Sequence, residues 1–255
     1  MNVPAYLRRI GYSGPITATL ETLRSIHRAH LETVPFENLD ISFKRPIVLD
    51  QDRFVHKIVE EKRGGFCYEL NGALAALLRE MGYHVTLLSA RAPHKDGSPG
   101  PEFDHLALRV DLDDPWLVDV GFGECFLEPL LLKPGIEQEQ DQGSFRIKDE
   151  GSSLSVERQQ PDGSWKTEYL FTMMPRQLGD FADMCHYHQT SPESHFTQKR
   201  LCTLATRRGR ITLSDMKLIV TENGNRQESN LGSEEEWRKV LKQHFGLFLP
   251  NYCTA

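Results

Sequence analysis

Residues 63–72, Arg-Gly-Gly-Phe-Cys-Tyr-Glu-Leu-Asn-Gly, open the stretch on which the reading of this chain turns. From Cys67 onward, Leu70, Leu74, Leu77, Leu78 and Met81 recur at helical spacing, and Gly82 stands where such a helix would end. The spacing predicts a helix with a thiol at its N-terminus. Unpaired N–H groups and the positive end of the helix dipole gather there. Together they favour a thiolate by roughly 0.3–1 kcal/mol, and by more when partly buried. Gly64 and Gly65 can take the positive φ that a tight loop needs, and they leave room for a ligand against the backbone. Cys67 is therefore a candidate nucleophile, although a cysteine in such a helix also reads as a small core hydrophobe. Its partners must decide.

Working outward towards the N-terminus, Pro4 to Arg9 reads as a short helix, and Thr17 as the cap of a second. The second has Leu20, Leu23, Ile26 or His27, and Leu31 facing inward, and Pro35 breaks it. Val34 to Asp40 reads as an ordered turn in which Phe36 is core or pocket wall. Asp50 is a good N-cap for a third helix, with Leu49 and Phe54 at the staple positions. Beyond Tyr83 the period shifts towards two, and strands are expected over 85–90, 106–110, 116–120, 144–148, 153–157 and 165–170. Such a run suggests an antiparallel sheet or barrel. Residues 175–204 read as short helices and connectors, 210–226 as two strands around Asn223-Gly224, and Ser233 as the start of a last helix. The class is α+β. The expected divisions are a helical bundle over 1–83, a barrel over 84–190 and a smaller α/β unit over 191–255.

Composition confines the partners. The 255 residues suffice for one large domain or two to three small ones, and 39% hydrophobic with 26% charged residues is ordinary for a globular chain. Thirty basic against 36 acidic residues leave a net charge of −6. That balance argues against nucleic acid or an anionic membrane as partner, while leaving room for a local basic patch to hold an anionic cofactor. The segment Met1 to Arg9 has no apolar core, and no apolar run approaches membrane-spanning length, so a cytoplasmic protein is expected. Reduced thiols are therefore expected at Cys67, Cys125, Cys185, Cys202 and Cys253. The Cys185-His186-Tyr187-His188 run, with His195 beyond, lacks the two-plus-two layout of a zinc site, and no metal is expected.

The partners of Cys67 emerge from a hairpin. A turn centred on Leu112 would set Leu106 against Val118 and Leu108 against Trp116 on one apolar face. The opposite face would then bring His105 across from Asp119. A carboxylate in that position fixes the imidazole tautomer and steadies the imidazolium, while the imidazole takes a thiol proton. The alternative is a surface ion pair worth about 0–1 kcal/mol. Val120-Gly121-Phe122-Gly123 follows directly. It reads either as a pocket wall with backbone donors or as a glycine-bounded turn with Phe122 in the core.

Four segments, Val-Pro-Phe-Glu-Asn-Leu (34–39), Arg-Gly-Gly-Phe-Cys-Tyr-Glu-Leu-Asn (63–71), Asp-His-Leu-Ala-Leu-Arg-Val (104–110) and Leu-Val-Asp-Val-Gly-Phe-Gly (117–123), together resemble the arylamine N-acetyltransferases of prokaryotic type. Tyr-His-Gln-Thr-Ser-Pro-Glu-Ser-His-Phe (187–196) is similar to that family too, so the resemblance covers nearly the whole chain in order. It implies a cysteine-protease-like core with an N-terminal helical bundle, an antiparallel β-barrel and a C-terminal α/β lid. It also implies a triad of Cys67, His105 and Asp119. The family reaction is ping-pong transfer of acetyl from acetyl-CoA, the donor substrate, to an arylamine, arylhydrazine or N-hydroxyarylamine. Phe36, Phe103 and Phe122 would line the acceptor pocket, and the Gly123 backbone would neighbour the CoA donor. Glu124, where a glycine often follows, and the acidic Glu102-Phe103-Asp104 run depart from the family pattern and bear on acceptor preference and donor contacts. A thiol hydrolase or an amide synthase uses the same triad.

Overall fold

The helical signals of the first third of the chain produce five helices in a computed structural model that describes residues 1–249. α1 (Val3–Arg9) carries Pro4 in its first turn. α2 (Leu20–Thr33) is capped by Thr19 instead of Thr17, because the Thr19 hydroxyl is the one that reaches the N–H three residues on, at Thr22 (3.2 Å). The turn after it is ordered as a two-residue strand, β1 (Phe36–Glu37), and a short helix, α3 (Leu39–Ser42). α4 (Gln51–Val59) is capped by the Asp50 carboxylate. α5 (Cys67–Glu80) is buried on nearly every side, as its apolar sequence requires.

Eight strands come next: β2 (His84–Arg91), β3 (His105–Asp111), β4 (Pro115–Val118), β5 (Leu130–Leu131), β6 (Glu137–Gln140), β7 (Gly143–Asp149), β8 (Leu154–Gln159) and β9 (Trp165–Arg176). They form one antiparallel sheet in the order β5-β4-β3-β2-β9-β8-β7-β6. The edges β5 and β6 are joined by side chains instead of a ladder. The Gln138 amide accepts the Leu131 N–H at 2.7 Å and donates to the Leu131 carbonyl at 3.1 Å, which nearly closes a barrel. Neither edge strand was expected, since one has two residues and the other, Glu-Gln-Glu-Gln, lacks apolar alternation.

β3 shows how two cores share one strand. Leu106, Leu108 and Val110 face the helices together with Trp116 and Val118, whereas Ala107 and Leu117 face the barrel interior with Phe145, Ile147, Val156 and Tyr169. The expected faces hold, but the register differs. Leu108 pairs with Val118 and Val110 with Trp116, because the ladder closes at Asp111 and Pro115 around a three-residue loop. The shift is two residues, so no side chain changes face. His105 and Asp119 thereby become diagonal neighbours instead of directly opposed ones.

After the barrel come α6 (Ala182–Thr190), α7 (His195–Gln198), β10 (Leu201–Thr206), β11 (Gly209–Ser214), β12 (Lys217–Glu222), β13 (Asn225–Asn230) and α8 (Glu234–Phe245), the last capped by Ser233. The Asn223-Gly224 turn is present, with both residues at positive φ, but four strands stand where two were expected. β10 had read as a connector, and β13 is exposed throughout and has no apolar pattern to betray it. The second sheet runs β1-β10-β11-β12-β13, so the N-terminal strand edges the C-terminal sheet, with Phe36 opposite Thr203. Cys67, Cys125, Cys185 and Cys202 are free and buried, and Cys253 lies outside the described residues. Among the described residues no helix is long and apolar enough to cross a membrane, and no group of three His, Cys, Asp or Glu side chains could hold a metal ion.

Candidate active site

Close packing, more than any special φ, sets the N-terminus of α5. Gly64 and Gly65 are not at positive φ. A Cβ on Gly64 would overlap the Pro35 carbonyl, and one on Gly65 would stand 2.7 Å from the Glu69 carboxylate. The two glycines therefore admit the segment before β1 and the returning Glu69 side chain. Glu69 accepts the Phe66 N–H (3.1 Å) and pairs with Lys57 of α4 (2.7 Å), which anchors the turn from which Cys67 emerges. As the first helical residue, Cys67 has an N–H with no intrahelical acceptor.

Asp119 leaves the end of β4 and reaches the His105 ring, with Oδ2 2.7 Å from Nε2 and both side chains buried. Its other oxygen accepts from Asn71 Nδ2 and from the Gly121 N–H, each at 2.8 Å. Burial pushes the Asp119 carboxyl up, but the His105 ring and these hydrogen bonds prevail and hold it below the ordinary carboxylate range. With Nε2 engaged, Nδ1 is the imidazole nitrogen left to take a proton. Behind the pair, buried His27 accepts the Asp119 N–H on Nε2 (3.2 Å) and meets the Leu127 carbonyl through Nδ1 (2.8 Å). Burial lowers the His27 pKa, against the pull of the Leu127 and Asp119 carbonyls, the latter 3.0 Å from Nε2.

Asn71, whose part the sequence reading missed, ties these pieces together. One turn beyond Cys67, its amide also donates to the Leu106 carbonyl (2.6 Å) and accepts the Val120 N–H (2.9 Å). One side chain thus fixes the helix of Cys67 to the strand of His105 and to the residues around Asp119. The available signal was a neutral polar residue four positions after a candidate nucleophile, in a helix otherwise rich in leucine and alanine. Gly121 completes the junction. A Cβ there would stand 2.8 Å from Cys67 Cα and 2.7 Å from Asn71 Nδ2, so only glycine lets this turn lie on the start of α5.

Burial pushes the Cys67 thiol well above its ordinary range, a hydrogen bond with the Leu106 backbone pulls the other way, and the Asp104 and Asp119 charges add to the rise. The sequence alone suggested a lowered thiol. Exclusion of water penalises a lone thiolate, whereas a thiolate formed next to an imidazolium carries its own counter-charge.

Two aromatics gather at the His105 ring. Phe122 lies edge-on to His105 with centroids 5.2 Å apart, and Tyr169 is 5.3 Å from His105 and 5.0 Å from Phe122. Phe36 lies beside Gly123, which is at positive φ, and its ring centroid is 6.2 Å from that of Phe196. Phe103 is placed differently. Its ring packs on Phe181 and under the Arg176 guanidinium, and its carbonyl accepts the Tyr68 hydroxyl (2.7 Å).

Known proteins share this architecture. A family model described as N-acetyltransferase matches residues 19–253. A pineal gland isozyme of arylamine N-acetyltransferase from Gallus gallus is 35% identical over 98% of this chain and 95% of its own. The chain belongs to the arylamine N-acetyltransferase family. It is therefore an acyltransferase by descent, with the cysteine-protease-like fold of that family. The structure of Mycobacterium marinum arylamine N-acetyltransferase in complex with CoA is 30% identical, with a TM-score of 0.90 over 96% of this chain and 93% of that one. Proansamycin X synthase of Amycolatopsis mediterranei is 30% identical over 95% of this chain and 96% of its own.

Proposed function

We propose that this arylamine N-acetyltransferase homologue transfers acetyl from acetyl-CoA to arylamines, arylhydrazines and related aromatic amines through an acetyl-Cys67 intermediate. Cys67, His105 and Asp119 are its catalytic triad. The observation that carries the reading is the buried 2.7 Å bond between His105 and Asp119, locked by Asn71 to the helix that begins with Cys67. The relative whose structure holds CoA supports the donor.

In the first half-reaction His105 Nδ1 takes the Cys67 proton as the sulfur adds to the thioester carbonyl. Asp119 steadies the imidazolium that results. The Cys67 N–H, free at the helix start, donates to the developing oxyanion, a contribution on the order of 10²-fold or more in rate for such donors. The tetrahedral adduct then expels the CoA thiolate, which takes the proton from His105 and leaves acetyl on Cys67. In the second half-reaction His105 removes a proton from the aromatic amine as its nitrogen adds to the acetyl carbon, and returns it to the Cys67 sulfur as the C–S bond breaks. Phe122 and Phe36 wall the acceptor pocket, Phe103 stands at its edge, and the Gly123 backbone lies along the path of the donor. The supply of acetyl-CoA makes the cytoplasm the proposed place of action.

Peptide mass spectrometry after mixing with acetyl-CoA alone tests this. One acetyl group on the Cys67 peptide, and none in Cys67→Ser, is the expected outcome. Undiminished transfer by Cys67→Ser overturns the covalent route. A second reading, an amide synthase acting on another acyl donor, is favoured by the likeness to proansamycin X synthase. It predicts that acetyl-CoA leaves Cys67 unlabelled. Consumption of acetyl-CoA at the same rate without an amine would instead mark a hydrolase.

A further inference from the structure

A cleft of about 620 Å³ opens where the barrel meets the second sheet, and five arginines line it: Arg158 from β8, Arg207 and Arg208 from the β10–β11 turn, Arg210 from β11 and Arg226 from β13. Two carboxylates share the lining, Glu124 and Asp141, and Asp141 is already paired with Arg28 at 2.8 Å. In a chain of net charge −6 this is a marked local excess of positive charge.

The arginines are held in graded fashion. Arg210 is more than nine-tenths buried, its Nη1 donates to Thr203 Oγ1 at 3.0 Å, and its Nε has no hydrogen-bond partner, the Glu124 carboxylate standing 3.9 Å away. A buried guanidinium nitrogen left unbonded is costly unless a ligand meets it. Arg158 reaches Glu124 at 3.4 Å, and Arg207 makes no hydrogen bond or ion pair among the described residues. Arg208 and Arg226 are largely exposed and rest on the less exposed Glu222 and Glu228. Glu124, in the lining, follows directly on the Phe122-Gly123 turn whose aromatic ring meets His105.

We propose that this cleft binds the phosphate groups at the nucleotide end of the acyl donor, with Arg210 and Arg158 at its floor and Arg208 and Arg226 at its mouth. The assignment rests on acetyl-CoA being the donor. That molecule carries a diphosphate and a 3′-phosphate, joined to the thioester by a long flexible arm. Guanidinium forks match phosphate oxygens two at a time, which suits arginine more than lysine to the task. Glu124, the residue that departs from the family pattern, is the carboxylate near both Arg158 and Arg210, at 3.4 and 3.9 Å.

The test is the double variant Arg208→Ala, Arg226→Ala, whose side chains are exposed and whose melting temperature should match the parent. Its KM for acetyl-CoA should rise about tenfold per arginine with kcat at saturation unchanged. Transfer from S-acetylpantetheine, which lacks the nucleotide, should stay the same. Calorimetric affinity for 3′,5′-ADP, read without any turnover, should fall in parallel. Equal losses with both donors, or an unchanged affinity for 3′,5′-ADP, overturn the proposal. If the parent protein binds 3′,5′-ADP through these arginines yet neither donor acetylates Cys67, the triad reading fails and the cleft stands.

Discussion

Two buried polar clusters share the first turns of α5, and they end differently. On the Glu69 side each buried charged group has a partner of opposite sign. Lys57 bridges Asp40 (2.8 Å) and Glu69 (2.7 Å), and Arg63 bridges Glu37 (2.7 Å) and Asp40 (3.0 Å). On the Cys67 side the bonds run through Asn71 and Asp119 to His105 Nε2 and stop there. Cys67 and His105 Nδ1 keep unspent capacity next to an organised scaffold. A closed network fixes shape, because every departure strands a buried charge, whereas an open end leaves a group free to react. The same helix supports both, one as foundation and the other as working edge.

Removing Arg63 is the most severe way to break this contrast. Arg63→Ala takes the cation from buried Glu37 and leaves Asp40 to Lys57 and Arg45, and should lower unfolding free energy by about 3–5 kcal/mol in urea titration. A loss below about 1 kcal/mol would mean that the closed cluster is not a foundation.

Asn71→Ala should have a mixed effect that sharpens the comparison. It orphans the Leu106 carbonyl and the Val120 N–H, costing about 1–3 kcal/mol, and loosens Asp119. Acetylation of Cys67 in stopped-flow mixing should slow roughly 10–100-fold at temperatures where the variant remains folded. A rate within twofold of the parent would remove Asn71 from the positioning machinery.

The smallest effect is a pH dependence of the closed cluster. Burial raises the Asp40 carboxyl, but Lys57 and Arg63 outweigh it and hold the group below its ordinary value. Such a carboxylate stabilises the fold fully above its unfolded pKa of about 3.9, and that stabilisation is lost as pH falls through the folded value. Asp119 acts in the same direction. Glu69 acts in the opposite one, since burial raises it more than Lys57 lowers it. The melting temperature should stay level from pH 7 to about 5 and drop below about 4, and Asp40→Asn should make that acid limb shallower. An identical limb in the variant would count against Asp40 as its source.

What the sequence disclosed follows from the range of each interaction. Local periodicity placed α5 and put His105 and Asp119 on one face, since a strand's facing depends only on parity. Their register depended on loop length, and was displaced by two residues. Asn71 could not be assigned its part, because its partners lie 35 and 48 residues further along the chain. The arginine cleft was equally hidden, with one wall from the barrel and the other from the second sheet. β13 owes its conformation to the ladder with β12 and has no pattern of its own.

The placement of β1 has a consequence for how the protein is made. Asn38, just after this strand, accepts the Leu201 N–H from a residue 163 positions later in the chain. At ordinary translation rates of about 5–20 residues per second, roughly ten to thirty seconds separate the emergence of these two partners from the ribosome. For that interval the seat of Phe36 has an unclaimed hydrogen-bonding edge, which is covered only when most of the polypeptide has been delivered.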